Sequence, residues 1–262
     1  MFGRDGFFLV AGPCALEGDE LNLIVADRIA ATADRLGIRA VFKGSFDKAN
    51  RTSASSHRGP GLAAGLRALR RVRECTGLPV LTDIHVHGQA ADVAETVDAI
   101  QIPAFLCRQT DLLVAAAETG LPVNVKKGQW MAPEDMAGPV DKLERAGCGE
   151  VVVTERGTAF GYGRWITDMR SFRIMREVTG CATVFDATHS VQLPAAGDGA
   201  SGGEPRFVET LALSAVAAGA DGLFVEAHPD PAGAPSDGNN MLPLDRLPGL
   251  VEACIRVREA RQ

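Results

Sequence analysis

The sequence contains no apolar run approaching the roughly 20 residues of a membrane-spanning helix. Phe7-Phe8-Leu9-Val10-Ala11 is too short for the core of a secretory leader, and acidic residues follow soon after it. Both absences predict a cytoplasmic protein with no membrane partner. An excess of positive charge is also missing. The net charge is −6 and the pI near 5.4, which argues against the whole basic face that a nucleic-acid backbone demands. Paired cysteine spacing is absent too: Cys14, Cys75, Cys107, Cys148, Cys181 and Cys254 are scattered, as free thiols in a reducing compartment would be. No linker or low-complexity tract marks a domain boundary. What remains is 262 residues, 46% of them hydrophobic, enough for one large core in a single domain.

Eight short apolar runs, near residues 7–11, 39–44, 79–83, 99–102, 122–126, 150–155, 182–187 and 221–226, alternate with amphipathic stretches. The helical stretches fall near 19–36, 61–76, 89–97, 111–119, 133–146, 167–179, 204–218 and 244–260. Glycines at 37, 77, 120, 147, 180 and 219 sit where helix C-caps belong, one or two residues before the next strand. This rhythm predicts a (β/α)8 TIM barrel, with a doubly wound parallel sheet as the competing arrangement. The polar residues favour the barrel. Cys14, Lys43, Asp83, Gln101, Lys126, Glu155-Arg156, Asp186 with His189, and Glu226 all stand at strand ends, where a barrel gathers its chemistry.

The richest of these exits is Phe42-Lys43-Gly44-Ser45-Phe46-Asp47-Lys48-Ala49-Asn50-Arg51-Thr52-Ser53. Two lysines, an arginine fork and short neutral hydrogen-bonding groups make it a place to hold anions. Lys126 and Arg156 add cations at two later exits, so the ligand is expected to carry more than one negative group. Lys126 would be costly to bury without an anion to meet it, while a pairing of Arg156 with Glu155 would remove that cation from the site. Cys14, His189, Glu226 and Asp237 form a second constellation. Mixed thiolate, imidazole and carboxylate donors suit Fe²⁺, Zn²⁺ or Mn²⁺, although their spacing alone is a weak metal signal. His85 and His87 form a histidine pair with no evident further ligands, His228 reads as a loop-shaping residue, and the glycine-rich segment 195–205 reads either as a loop closing over substrate or as plain surface.

Over essentially its full length the chain resembles the 3-deoxy-D-manno-octulosonate 8-phosphate synthases, also called 2-dehydro-3-deoxyphosphooctonate aldolases. The stretch 42–53 carries the resemblance together with Ala11-Gly12-Pro13-Cys14, Gln101-Ile102-Pro103-Ala104-Phe105-Leu106-Cys107-Arg108, Asn124-Val125-Lys126-Lys127-Gly128-Gln129 and Thr154-Glu155-Arg156-Gly157. Asp186-Ala187-Thr188-His189, Ser201-Gly202-Gly203 and Glu226-Ala227-His228-Pro229-Asp230-Pro231 continue it. A sister family of seven-carbon synthases shares Gly-Pro-Cys but typically has Lys-Pro-Arg-Thr-Ser where this chain has Lys48-Ala49-Asn50-Arg51-Thr52-Ser53. Departures are confined to loops: Trp130, Gly163-Arg164-Trp165, Glu204-Pro205 and Asn239.

The resemblance implies condensation of phosphoenolpyruvate with D-arabinose 5-phosphate. It implies that Lys43, Ser45, Lys48, Lys126, Arg156 and the wall Gln101, Pro103, Ala104 and Phe105 hold phosphoenolpyruvate. Asn50, Arg51, Thr52 and Ser53 would hold the sugar phosphate, Gln192 would join the substrate contacts, and Arg108 would reach in from a neighbouring subunit of a homotetramer. The catalytic set it implies is Lys43, Lys48, Asp83, Lys126, Arg156, His189 and Asp237. Metal-independent members have asparagine where this chain has Cys14, so Cys14, His189, Glu226 and Asp237 imply the metal-dependent class. Against these expectations stand the seven-carbon synthase, acting on erythrose 4-phosphate, and a non-catalytic barrel that binds phosphorylated metabolites.

Overall fold

The computed structural model describes residues 1–50, 56–193 and 202–261. Seven strand–helix units run in order: β1 (Phe8–Gly12), α1 (Asp19–Leu36), β2 (Arg39–Lys43), α2 (Leu62–Thr76), β3 (Val80–Asp83), α3 (Ala90–Ala94), β4 (Ala99–Ile102), α4 (Thr110–Glu118), β5 (Val123–Lys126), α5 (Ala137–Arg145), β6 (Val151–Glu155), α6 (Ser171–Thr179), β7 (Ala182–Asp186) and α7 (Val208–Ala218). The eighth barrel strand, Gly222–His228, and α8 (Leu247–Arg261) follow. Each strand is parallel to the next, and Gly222–His228 pairs with both β7 and β1, Phe8 standing opposite Gly222. The sheet therefore closes on itself as a (β/α)8 barrel. A doubly wound sheet, which would leave two edges, is ruled out.

Side chains alternate across each strand. One set, including Leu9, Phe42, Val80, Ile100, Val125, Val153, Phe185 and Leu223, belongs to the large core under the helices. The other, Phe8, Val10, Val41, Leu81, Ala99, Val152, Val184 and Phe224, fills the barrel, with Phe2 packed on Phe8 at 5.5 Å between ring centroids. Two residues beyond these interior positions the same strands carry Lys43, Asp83, Gln101, Thr154, Asp186 and Glu226, all buried. The barrel is apolar at its N-terminal end and charged at its C-terminal mouth.

Helix ends follow local chemistry. Gly77 closes α2 with φ 71° while its N–H reaches the Arg73 carbonyl at 2.9 Å, a left-handed turn that a side chain would strain. Gly120 turns the same way before β5. Four expected helices, α3, α5, α6 and α7, are shorter, and 3-10 turns at Pro133–Met136 and Pro205–Phe207 precede α5 and α7. Residues 87–89 form a 3-10 turn ahead of α3. Helix α6 starts at Ser171 rather than 167, because Thr158 and Ile166 exchange backbone hydrogen bonds of 2.9 and 3.0 Å and draw the intervening chain into a hairpin. No helix among the described residues is long and apolar enough to cross a membrane.

Candidate active site

Gly12 ends β1 against β2 so closely that any side chain there would collide with the Lys43 carbonyl. This approach brings the Cys14 loop over the exit of β2. Lys43, 2% exposed, donates to the Cys14 carbonyl at 3.2 Å, to Ser45 Oγ at 2.8 Å and to Glu226 Oε1 at 3.2 Å. Ser45 in turn donates to Asp83 Oδ1, and Asp83 Oδ2 lies 2.9 Å from His85 Nε2. Lys48 Nζ stands 3.8 Å from the same Glu226 oxygen that Lys43 holds. One carboxylate thus gathers two lysines from the basic stretch.

Across the mouth, Lys126 Nζ pairs with Asp186 Oδ2 at 2.5 Å and sits 3.6 Å above the centre of the Phe224 ring, while Lys43 Nζ lies 5.7 Å from it. Phe224 is therefore the shared floor under two cations that are far apart in sequence. Arg156 completes the set. Its guanidinium donates to Gln192 Oε1 at 2.7 Å and stacks near Trp165 at 5.2 Å, but its buried Nη1 finds no hydrogen-bond partner among the described residues. A buried cationic donor left open is a site prepared for an anion.

Glu155 does not quench Arg156. Adjacent strand residues face opposite sides, so Glu155 turns outward to the buried Lys127 at 3.5 Å and accepts the Gly157 N–H at 2.7 Å. That ion pair braces the β5 and β6 exits from behind: Lys127 also donates to the carbonyls of Gly128 and Met131 at 3.3 and 3.2 Å.

Cys14 Sγ and one carboxylate oxygen each of Glu226 and Asp237 lie within 4.8 Å of one another. Cys14 Sγ is 3.0 Å from Asp237 Oδ2, and Gln192 Nε2 donates to Asp237 Oδ1 at 3.0 Å. Asp237 holds φ 52°, a left-handed conformation unusual away from glycine, and this bend returns its carboxylate to the thiol. His189 stands beside the trio rather than within it, its Nε2 3.7 Å from Glu226 Oε2. That Glu226 oxygen is buried without a hydrogen-bond partner among the described residues. A soft thiol, two carboxylates and an imidazole around an unsatisfied oxygen fit a borderline divalent cation. Burial, then the Glu226 charge, push the Cys14 thiol well above its ordinary value. For Asp186 burial acts the other way from its neighbours, but the charges of His189 and Lys126 outweigh it and hold the carboxyl far below the usual range.

The DAHP synthetase I family model matches residues 1–262. The chain belongs to the DAHP synthetase I family. Its relatives within reach of this family include the 2-dehydro-3-deoxyphosphooctonate aldolase of Nitratidesulfovibrio vulgaris strain DP4, 58% identical over 94% of this chain and 89% of that protein. The enzyme of the same name from Synechococcus sp. is 55% identical over 96% of the chain and 88% of its own length, and that from Bradyrhizobium diazoefficiens is 55% identical over 95% and 89%.

On this DAHP synthetase I scaffold the remaining expected residues sort by place. Gln101, Ala104 and Asn124 are buried at the β4 and β5 exits, Pro103 is half-buried and Phe105 exposed. Asn50 and Arg108 are exposed. Arg51, Thr52 and Ser53 lie outside the described residues, as does 195–201 of the glycine-rich segment. His85 pairs with Asp83, His87 is exposed, and neither approaches the Cys14 group. His228 accepts the Asp230 N–H at 3.0 Å and faces Glu17 Oε1 at 3.1 Å, a loop-shaping arrangement. Asp186 and Phe224 carry no assigned role in the sequence reading. Asp186 was legible as a strand-end carboxylate, whereas Phe224 looks like ordinary core until Lys43 and Lys126 are seen over its ring.

Proposed function

We propose that this chain, as a single catalytic domain, condenses phosphoenolpyruvate with D-arabinose 5-phosphate and water, giving 3-deoxy-D-manno-octulosonate 8-phosphate and inorganic phosphate for lipopolysaccharide Kdo biosynthesis. The observation that carries the reading is the unpartnered Arg156 Nη1 in the same mouth as Lys43 and Lys126. Phosphoenolpyruvate places a carboxylate and a phosphate on three carbons. Lys43, Lys126 and Arg156 hold these groups, with Ser45, Lys48 and the wall Gln101, Pro103, Ala104 and Phe105 around them. Asn50, Arg51, Thr52, Ser53 and Gln192 serve the sugar phosphate side.

Holding carbon 3 of the enol phosphate against the aldehyde carbon is an orientation effect that supplies up to about 7–11 kcal/mol of the barrier. As the new carbon–carbon bond forms, carbon 2 becomes electron-poor and the aldehyde oxygen gains charge. Water then adds to carbon 2, and the resulting hemiketal phosphate expels inorganic phosphate. Burial raises the Asp83 carboxyl, but its bond to His85 and the Lys43 charge outweigh this and keep it ionised; Asp83 acts in the catalytic set as the fixed negative charge that orients Ser45 beside Lys43. Cys14, His189, Glu226 and Asp237 hold a divalent ion, Fe²⁺, Zn²⁺ or Mn²⁺, which when bound supplies Lewis-acid polarisation to a carbonyl or hydroxyl oxygen. Phosphate release with arabinose 5-phosphate against erythrose 4-phosphate tests the reaction. Turnover only with the four-carbon sugar would assign the seven-carbon synthase, and binding of both ligands without phosphate release would leave a non-catalytic barrel.

The working form is a homotetramer in the cytoplasm. Free thiols at all six cysteines support a reducing compartment. Phe105, Trp130, Phe160 and Tyr162 are 53, 43, 84 and 89% exposed at the exits of neighbouring strands, with Phe105 and Trp130 rings 6.0 Å apart. Exposed aromatics next to Arg108 support a subunit contact there. Sedimentation of the wild-type chain is expected to give a tetramer, and Trp130→Glu to shift it toward smaller species. A monomeric wild-type protein would sink the assignment of Arg108 to a neighbour's site.

A further inference from the structure

The Asp186 carboxylate has an arrangement that neither substrate binding nor metal ligation alone requires. It is fully buried, and its two oxygens divide their work. Oδ1 accepts the backbone N–H of His189 at 2.9 Å, while Oδ2 faces both His189 Nδ1 at 2.7 Å and Lys126 Nζ at 2.5 Å. The Ser190 hydroxyl donates to the Asp186 carbonyl at 2.6 Å, closing the turn that carries His189. A carboxylate oxygen can only accept, so the imidazole proton stands on Nδ1. That bond leaves Nε2, 3.7 Å from Glu226 Oε2, as the ring nitrogen turned toward the ligand group.

We infer that Asp186 is a positioning residue: it fixes the tautomer and rotation of His189 so that Nε2 serves the Cys14, Glu226 and Asp237 group, and it anchors this ligand to the substrate-binding Lys126 through one shared oxygen. The inference rests on the metal reading above and deepens it. Carboxylates behind ligating histidines raise the basicity of the imidazole and remove its rotational freedom. Here the same carboxylate also spans to the lysine on β5, so the ligand cluster and the anion site are built as one piece across the barrel mouth.

The test is the dissociation constant for Co²⁺ alone, measured by competition with a chromophoric chelator and requiring no turnover. Asp186→Asn is expected to weaken Co²⁺ binding by about 10- to 100-fold. In a His189→Ala background the same change is expected to add almost nothing, because Asp186 acts through His189. Asp221→Asn removes a buried carboxylate that pairs with Arg176 at 2.8 Å away from the mouth, and is expected to lower stability while leaving Co²⁺ affinity in place. If Asp186→Asn does not fold, the double change Lys126→Met/Asp186→Leu removes the acceptor without stranding a charge, and the same weakening is expected. Unchanged affinity in these variants overturns the inference, as does an effect of equal size with and without His189. A wild-type chain that fails to bind Co²⁺ overturns the metal reading itself and the inference with it.

Discussion

Lys126→Met is expected to lower kcat/KM for phosphoenolpyruvate by about 10²- to 10³-fold, the scale of losing one fixed charge partner for a reacting anion. The same change is expected to destabilise the fold by about 3–5 kcal/mol, because it leaves Asp186 buried and charged without its closest cation. The two effects separate by measurement. Denaturant unfolding reads the second, and initial rates at a temperature where the variant remains folded read the first. Lys126→Met/Asp186→Leu distinguishes them further: removing both charges is expected to restore much of the stability and none of the activity. Near-wild-type kcat/KM in the single variant would mean that Lys126 only neutralises Asp186, and the anion site would have to be built from Lys43 and Arg156 alone.

The barrel was legible because a parallel strand writes its two faces into alternate residues. Val41 then Lys43, Leu81 then Asp83, Val184 then Asp186 and Phe224 then Glu226 are each an interior apolar residue followed, two positions on, by a buried polar one. That switch fixes which end is the mouth. The partners were not legible, since they join positions 60 residues apart for Lys126 and Asp186, and 183 apart for Lys43 and Glu226. Chain adjacency actively misleads. Glu155 and Arg156 look like an ion pair in sequence, yet the pleat sends one outward to Lys127 and the other into the mouth. The late start of α6 has a similar origin, as the backbone pairing of Thr158 with Ile166 overrides the helical pattern around residue 167.

Exhaustive chelation is expected to lower turnover by at least about 10²-fold, and a divalent ion to restore it, since a Lewis acid contributes several kcal/mol at a developing oxyanion. The donor set explains why removal should be costly. With no cation present, Glu226 and Asp237 bring two carboxylates beside Cys14, offset by Lys43, Lys48, His189 and the hydrogen bonds from Cys14, Ser236 and Gln192. Cys14→Asn replaces the sulfur by a neutral amide that cannot supply a thiolate, so metal content after dialysis is expected to fall while Lys43 keeps its bond to the residue 14 carbonyl. Elemental analysis and phosphate release on the same samples separate loss of the ion from loss of the pocket. Full turnover from a chain stripped of metal would show that the cations of the mouth carry the reaction unaided and would place this protein with the metal-independent synthases.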